Sequence, residues 1–397
     1  MSARAVPFQH KPTPEVAALM DEVLGADGAP GRTMYLVATV GPMSFVVKAL
    51  AKATASAAAG GLLASQACAQ LNITGAPATS VVVAGSVSAF LYYCRVWLQG
   101  YYFDRRCLLT TNLDGKVALV TGCTVGGLGH AGAAILASMG CTLVVTARSD
   151  AKGKAAVEAL RRVSTTPERI SYVLVEFASN DSVRACAKEV LKTLDRLDFL
   201  VLNAGIGRHP DGPPMVWQIN QLGPFLFTEL LTPLLTKTAK RTDGDGVRVV
   251  AVSSGAHKRA AINYDDPHAS EAAYGQSKLA QVMHLKELQR RMRLERGLEG
   301  EGRVRCVSVT PGMAHTNLTA PPLLLRPLFW YMARSAHVGA QVIKMACIDP
   351  DVPGGAYLSN CYVKPSEGKD GCSNDPTEWA KLWALCEKGV KEAKHSR

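Results

Sequence analysis

From Leu113 to the C-terminus, short apolar runs alternate with longer segments of helical pattern. The short runs are rich in Val and Leu and lack a polar face, as expected of strands that are buried on both sides. They occupy residues 116–120, 142–146, 172–175, 199–202, 247–252 and 304–309. The helical segments between them occupy residues 131–139, 151–162, 182–194, 217–235 and 272–292. This alternation predicts βαβ units, and hence a doubly wound α/β domain with a parallel sheet over residues 111–397.

The region before this domain has a different pattern. No residue between Lys52 and Arg95 is charged, and aromatic residues and two arginines follow the apolar run. We therefore predict a hydrophobic helical membrane anchor at residues 34–110, with the best span at about residues 78–98 and the following domain facing the cytosol. One span, two spans and an Ala-rich hairpin packed on the domain all remain compatible with the pattern. Residues 1–33 form a tail without signal-peptide features.

Composition and charge narrow the classes of protein to which this chain could belong. The chain is 48% hydrophobic and 19% charged, which is typical of a globular protein. Its formal charge of +11 comes from scattered Lys and Arg residues, so the sequence argues against nucleic-acid binding and is compatible with a phosphate-rich cofactor or a membrane surface. The eleven cysteines form no CxxC pair, and the histidines have no ligand spacing. Neither a metal site nor a disulfide framework is expected.

A glycine-rich loop directly follows the first predicted strand and precedes a helical segment. It reads Thr121-Gly-Cys-Thr-Val-Gly-Gly-Leu-Gly129. Glycines allow a tight turn and a close approach of backbone to a pyrophosphate, and the helix N-terminus favours the anion. The second strand ends in Thr-Ala-Arg148, without a carboxylate to bind the ribose of NAD. An arginine at this place accommodates the 2′-phosphate, so we predict NADP(H) as cofactor.

Tyr274 and Lys278 stand four residues apart in a predicted helix and therefore project from the same face. A nearby ammonium stabilises a phenolate and lowers the pKa of the phenol from about 10. This pair could therefore act as a general acid, although the same spacing also arises by chance in surface pairs. The fifth predicted strand ends in Ser253-Ser254, two hydroxyl groups that could complete such a site.

Together these motifs resemble those of the short-chain dehydrogenase/reductase family, over roughly residues 113–395, and the resemblance implies a Rossmann fold. The glycine loop is similar to the family's TGxxxGxG with one extra residue, so either Gly126 or Gly127 takes the middle role. The remaining matches are Val175-Glu-Phe, Leu202-Asn-Ala-Gly, Ile219-Asn220, and Pro311 to Thr316. The cofactor-binding residues implied in this way are Gly122, Thr124, Gly126, Gly127, Leu128, Gly129, Arg148, Glu176, Asn203, Gly205, Tyr274, Lys278, Pro311 and Thr316.

The resemblance also implies a catalytic set and its roles. Ser254 and Tyr274 would polarise the substrate carbonyl, with Tyr274 exchanging the proton. Lys278 would hold the nicotinamide ribose, and Asn220 would hold a water near Lys278 in a proton relay. Ser253 would be structural. The implied reaction is hydride transfer between nicotinamide and a carbonyl or alcohol carbon.

The resemblance is greatest to the retinol dehydrogenase-like branch, through residues 274–280 and 355–361. It implies a lipophilic alcohol or carbonyl substrate (a retinoid, steroid or fatty aldehyde), association with the endoplasmic reticulum or another organelle membrane, and a homodimer as one assembly. Residues 318–332 are strongly apolar, which favours a lipophilic substrate, although helix packing would explain them equally well. The alternatives are a protochlorophyllide-type reductase and a non-catalytic NADP-binding membrane scaffold.

Overall fold

The structure of the 397-residue chain is a computed structural model. It describes residues 58, 61–71, 73–97, 107–241, 246–268, 272–294, 298, 303–314 and 333–392. Thr316, the apolar segment 318–332 and the predicted tail 1–33 lie outside the described residues. The chain divides after Val96 into two compact units.

The first unit contains a helical hairpin. Residues 61–70 are helical, and helix α1 spans Ala76–Trp97. The two helices approach closely at Gly61, where an added Cβ would lie 2.4 Å from Ser86 Oγ. Helix α1 covers most of the predicted span at residues 78–98. However, no helix in the described part of the chain is long and apolar enough to cross a membrane, so the predicted span is not supported.

The second unit alternates strands and helices. The strands are β1 (Val117–Val120), β2 (Thr142–Ala147), β3 (Ile170–Leu174), β4 (Phe199–Leu202), β5 (Val247–Val252), β6 (Val304–Thr310), β7 (Tyr357–Ser359) and β8 (Tyr362–Lys364). The helices are α2 (Leu128–Ala137), α3 (Asp150–Arg161), α4 (Asn180–Thr193), α5 (Pro213–Trp217), α6 (Gly223–Arg241), α7 (Ala273–Leu294), α8 (Ala336–Gly339), α9 (Gln341–Ile348) and α10 (Pro376–Glu392). A π-helical turn, Gln218–Leu222, joins α5 to α6.

The described strands form one sheet in the order β3-β2-β1-β4-β5-β6-β7-β8, parallel except for the antiparallel edge strand β8. Helices α2, α3 and α9 cover one face of the sheet, and α4, α6, α7 and α10 cover the other. Strand side chains alternate between the two cores: Leu119 packs in one and Val120 in the other. Burial on both faces explains the unbroken apolar strands of the sequence, and the predicted doubly wound parallel sheet is confirmed.

Two features differ from the sequence-based expectation. Strands β7 and β8 were not predicted, since three residues are too few to give a periodic signal. The helix predicted at residues 217–235 is instead interrupted by the π-helical turn, and its second part runs on to Arg241. π-Helical turns are frequent at functional sites, and this one contains Asn220.

Candidate active site

A cleft of about 380 Å³ crosses the carboxyl ends of the parallel strands from β3 to β6. The strand order reverses beside β1, and open α/β sheets bind ligands in the crevice at such a reversal. The predicted residues that line the cleft are Gly122, Thr124, Gly127, Leu128, Arg148, Glu176, Asn203, Gly205, Ser254, Tyr274, Lys278 and Pro311. Gly126, Gly129 and Asn220 are not part of this lining.

The glycine loop lies between β1 and the start of α2. Gly126 has φ = +79°, a left-handed conformation that suits glycine, and it does not line the cleft. Gly127 lines the cleft and precedes the first residue of α2, so of the two glycines it is the one placed towards a ligand. No side chain caps α2, which leaves the N–H groups of its first turn suited to an anion.

Asn203 joins the glycine loop to the loop after β4. Its Nδ2 donates to the carbonyl oxygens of Thr121 (2.8 Å) and Gly122 (3.1 Å). The Thr121 hydroxyl in turn accepts from the N–H groups of Asn203 and Ala204, both at 2.9 Å. A Cβ on Gly129 would lie 2.3 Å from Asn203 Nδ2, so this tie requires glycine there. Asn203 therefore shapes the cleft chiefly by holding its two loops together.

At the β2–β3 end, the cleft is lined by the exposed cations Arg148 and Lys152. Neither side chain forms an ion pair with another described residue. The nearby Asp150 carboxylate is bound by Lys154 and by the Tyr172 hydroxyl, so it does not neutralise them. Sequence reasoning missed Lys152, although it lies in the first turn of the helix that begins directly after Arg148 and Ser149.

Glu176 also lines this end of the cleft. It is half-buried, and its Oε1 accepts a hydrogen bond from the N–H of Ala178 at 3.2 Å. The carboxylate therefore already has a hydrogen-bond partner in its own loop. Two unpaired cations and one engaged carboxylate make this end of the cleft suited to an anionic group.

Ser254 and Tyr274 meet at the other end of the cleft. Ser254 follows β5, and Tyr274 lies in the first turn of α7. Burial raises the pKa of Tyr274, and a hydrogen bond from Ser254 partly offsets this shift. The hydroxyl of Ser253 points the other way and donates to the carbonyl of Lys278 at 2.7 Å, so it fixes α7 against β5.

Lys278 is 3% exposed and lies behind Tyr274. Its Nζ donates to the carbonyl of Val252 at 2.9 Å and to Oε1 of Gln281 at 3.1 Å, and it lies 5.7 Å from the centroid of the Tyr274 ring. Burial lowers the pKa of Lys278 to about 7. The expectation that the pKa of Tyr274 lies below its ordinary value is wrong for this structure, because burial of the phenol outweighs the hydrogen bond from Ser254.

Asn220 makes no direct contribution to the cleft surface. Its Oδ1 accepts from the N–H of Ile206 (2.8 Å), and its Nδ2 donates to the Ile206 carbonyl (2.9 Å) and to Ser277 Oγ (3.0 Å). The carbonyl of Asn220 accepts from Nε2 of Gln281 at 2.7 Å. Gln281 was missed by sequence reasoning; its spacing of three residues from Lys278 was the available signal.

The residues present fit a bound dinucleotide. An uncapped helix N-terminus and a glycine loop suit a pyrophosphate, two cations lie at one end of the cleft, and a serine–tyrosine pair lies at the other. The fold and site therefore define a dinucleotide-dependent oxidoreductase as the class of protein.

Comparison with known proteins identifies the family. The family model for short chain dehydrogenase matches residues 116–322. Dehydrogenase/reductase SDR family member 13 from Bos taurus is 35% identical over 65% of this chain and 69% of its own length. Human retinol dehydrogenase 14 is 34% identical over 69% of this chain and 86% of its own length. The chain belongs to the short-chain dehydrogenase/reductase family, near its retinol dehydrogenase branch.

A solved structure shows the same fold at low identity. The 3-ketoacyl-(acyl-carrier-protein) reductase from Brucella melitensis, complexed with NADH, is 21% identical, with a TM-score of 0.50 over 62% of this chain and 97% of that one. At this identity the likeness concerns the fold alone. Membership of the family makes the chain an oxidoreductase that uses a nicotinamide cofactor.

Proposed function

We propose that this protein is an NADP(H)-dependent oxidoreductase that transfers hydride between nicotinamide and a lipophilic alcohol or carbonyl compound. The observation that carries the proposal is that one cleft is lined at one end by Arg148 and Lys152 and at the other by Ser254 and Tyr274. A cofactor with an additional phosphate suits the first end, and carbonyl chemistry suits the second.

The preference for NADP(H) is supported by the charges at the β2–β3 end. NAD-dependent members of this fold class use a carboxylate there to bind the ribose hydroxyl. Here the exposed side chains at that place are cationic, and the carboxylate of Asp150 is engaged by Lys154 and Tyr172. An arginine and a lysine with no carboxylate partner favour a 2′-phosphate.

In this mechanism, a nicotinamide cofactor held by the glycine loop and the cations Arg148 and Lys152 would supply or accept the hydride. Tyr274 donates its proton to the substrate oxygen, assisted by the hydroxyl of Ser254. Burial raises the pKa of Tyr274, which favours the protonated phenol that this proton transfer requires. Lys278, as an ammonium, would stabilise the phenolate that remains.

The lipophilic nature of the substrate is supported by sequence and by relatives. Residues 318–332, which follow the cleft-lining segment 310–314, are strongly apolar. One relative is named for retinol, a lipophilic alcohol. Association with an organelle membrane belongs to the same proposal and rests on the uncharged stretch between Lys52 and Arg95.

The test is oxidation of NADPH with a panel of retinal, steroid ketones and medium-chain aldehydes, repeated with NADH. We expect turnover with NADPH for at least one member, and a loss of about 10²–10⁴-fold in kcat for Tyr274→Phe. Tyr362→Phe, on the edge strand β8, is the matched control and should retain activity. Measurable NADPH binding with no turnover across the panel would instead favour the scaffold alternative, and turnover of protochlorophyllide alone would favour a pigment reductase.

A further inference from the structure

Behind Lys278, a buried glutamine joins this lysine to the π-helical turn. Gln281 is 2% exposed and lies on α7, one helical turn after Lys278. Both ends of its amide are used: Oε1 accepts from Lys278 Nζ at 3.1 Å, and Nε2 donates to the Asn220 carbonyl at 2.7 Å.

The orientation of this amide follows from chemistry alone. A backbone carbonyl can only accept a hydrogen bond, so the amide nitrogen must face Asn220. An ammonium can only donate, so the amide oxygen must face Lys278. Reversing the amide would break both hydrogen bonds at once, and the side chain of Gln281 is therefore held in one orientation.

The partners of the Lys278 ammonium are neutral. They are the carbonyl of Val252 and the amide of Gln281, and the ring of Tyr274, the titratable group that faces Nζ in the described chain, lies 5.7 Å away. Burial lowers the pKa of Lys278. Each neutral acceptor therefore matters for keeping this amine protonated.

We propose that Gln281 is a positioning residue for Lys278: it holds the amino group beside the Val252 carbonyl, ties it to the backbone of Asn220 and favours its protonated form. The inference rests on the proposed function, because a protonated Lys278 is needed to stabilise the phenolate of Tyr274. Gln281 itself does not line the cleft, so it acts through Lys278.

Two substitutions should move the pH profile in opposite directions. If kcat/KM requires the ammonium, activity falls as the pH rises through the pKa of Lys278, about 7 in the wild-type protein. Gln281→Leu removes an acceptor and should move this alkaline limb down by about one pH unit. Gln281→Glu, which has the same shape, places a carboxylate beside the ammonium and should move the limb up by about one unit or more.

Gln289→Leu is the matched control, since Gln289 is a buried glutamine of the same helix that bonds to the backbone of β6 instead. It should lower stability and leave the limb in place. The proposal would be overturned if the alkaline limb of the kcat/KM profile stayed in place in both Gln281 variants, or if it moved in the same direction in both. If Gln281→Leu does not fold, Gln281→Met, which keeps the length of the side chain but neither hydrogen bond, takes its place: an unmoved limb rejects the inference.

A second measurement needs neither cofactor nor substrate. In ¹⁵N-lysine-labelled protein, the Nζ resonance of Lys278 can be assigned by its loss in Lys278→Met. The pKa read from this resonance should be lower in Gln281→Leu than in the wild type, and higher in Gln281→Glu. If the resonance moves as expected but no substrate is turned over, the proposed function fails while the role of Gln281 stands. Turnover with an unmoved resonance rejects the role of Gln281 alone.

Discussion

At the β5–β6 end of the cleft the cation is buried, whereas at the β2–β3 end the cations are exposed. Lys278 is held by the Val252 carbonyl and the Gln281 amide, and burial lowers its pKa to about 7. Arg148 and Lys152 are exposed, and neither has a carboxylate partner among the described residues.

The difference in burial suits the two ends to different roles, proton transfer at one and recognition of a phosphate at the other. Removing a group from water changes its protonation equilibrium, as proton transfer near neutral pH requires. Leaving a cation in water keeps its charge constant, which suits recognition of a phosphate. Substitutions at the buried end should therefore change pH dependence, and substitutions at the exposed end should change cofactor affinity.

The largest expected effect is at Lys278. Lys278→Met should reduce kcat by about 10²-fold or more and should stabilise the fold at pH 6.5, where the buried amine is partly charged. The pKa of Lys278 falls on folding from 10.5 to about 7, so the folded protein binds fewer protons between these values. The stability of the wild-type protein should accordingly rise with pH across this window, and the advantage of the variant should shrink.

Denaturant unfolding at pH 6.5 and 9.5 measures this difference. Lys188→Met, at an exposed lysine of α4, is the control and should leave the midpoint nearly unchanged at both pH values. An equal midpoint for wild type and Lys278→Met at pH 6.5 would mean that burial of this amine carries no cost, and the contrast between the two ends would disappear.

A smaller effect is expected at Arg148. Arg148→Ala should weaken NADPH binding by about 10- to 100-fold, as for loss of a charge-assisted hydrogen bond, and leave NADH binding nearly unchanged. Fluorescence titration with both cofactors measures this selectivity. Arg162→Ala, which removes an exposed arginine that contacts Glu158 at the end of α3, serves as the control. Equal losses for NADPH and NADH would show that Arg148 binds a part common to both.

The smallest effect is expected at Lys152. A flexible, hydrated ammonium at an exposed site contributes less than a guanidinium, so Lys152→Ala should weaken NADPH binding by only about three- to tenfold. Because salt screens exposed charges, the difference in NADPH affinity between the wild type and Lys152→Ala should decrease between about 0.05 and 0.5 M salt. A salt-independent loss would indicate that Lys152 acts through packing instead.

The sequence predicted what depends on local pattern. Six strands were placed to within two residues, because Val and Leu runs buried on both faces have few alternatives. Ser254 and Tyr274 were placed on the cleft because the end of a strand and the start of a helix position them directly. The short strands β7 and β8 gave no such pattern.

What the sequence did not predict depends on contacts between distant elements. The direction of the Lys278 amine is decided by the backbone of β5 and by Gln281, which is itself fixed by the π-helical turn. The expected interaction with the Tyr274 phenolate considered only the four-residue spacing within one helix. Spacing gives the face of a helix, but the acceptors on the facing elements decide where a long side chain ends.

The tie made by Asn203 has a consequence for cooperativity. Its side chain binds the glycine loop, Ile206 in the same loop binds Asn220, and Asn220 leads through Gln281 to Lys278. Together with the backbone between Asn203 and Ile206, these hydrogen bonds link the glycine loop to Lys278. Local opening of the glycine loop should therefore expose the linked amide protons to hydrogen exchange in a single event. Cofactor binding and the position of the Lys278 side chain would then be gained or lost together.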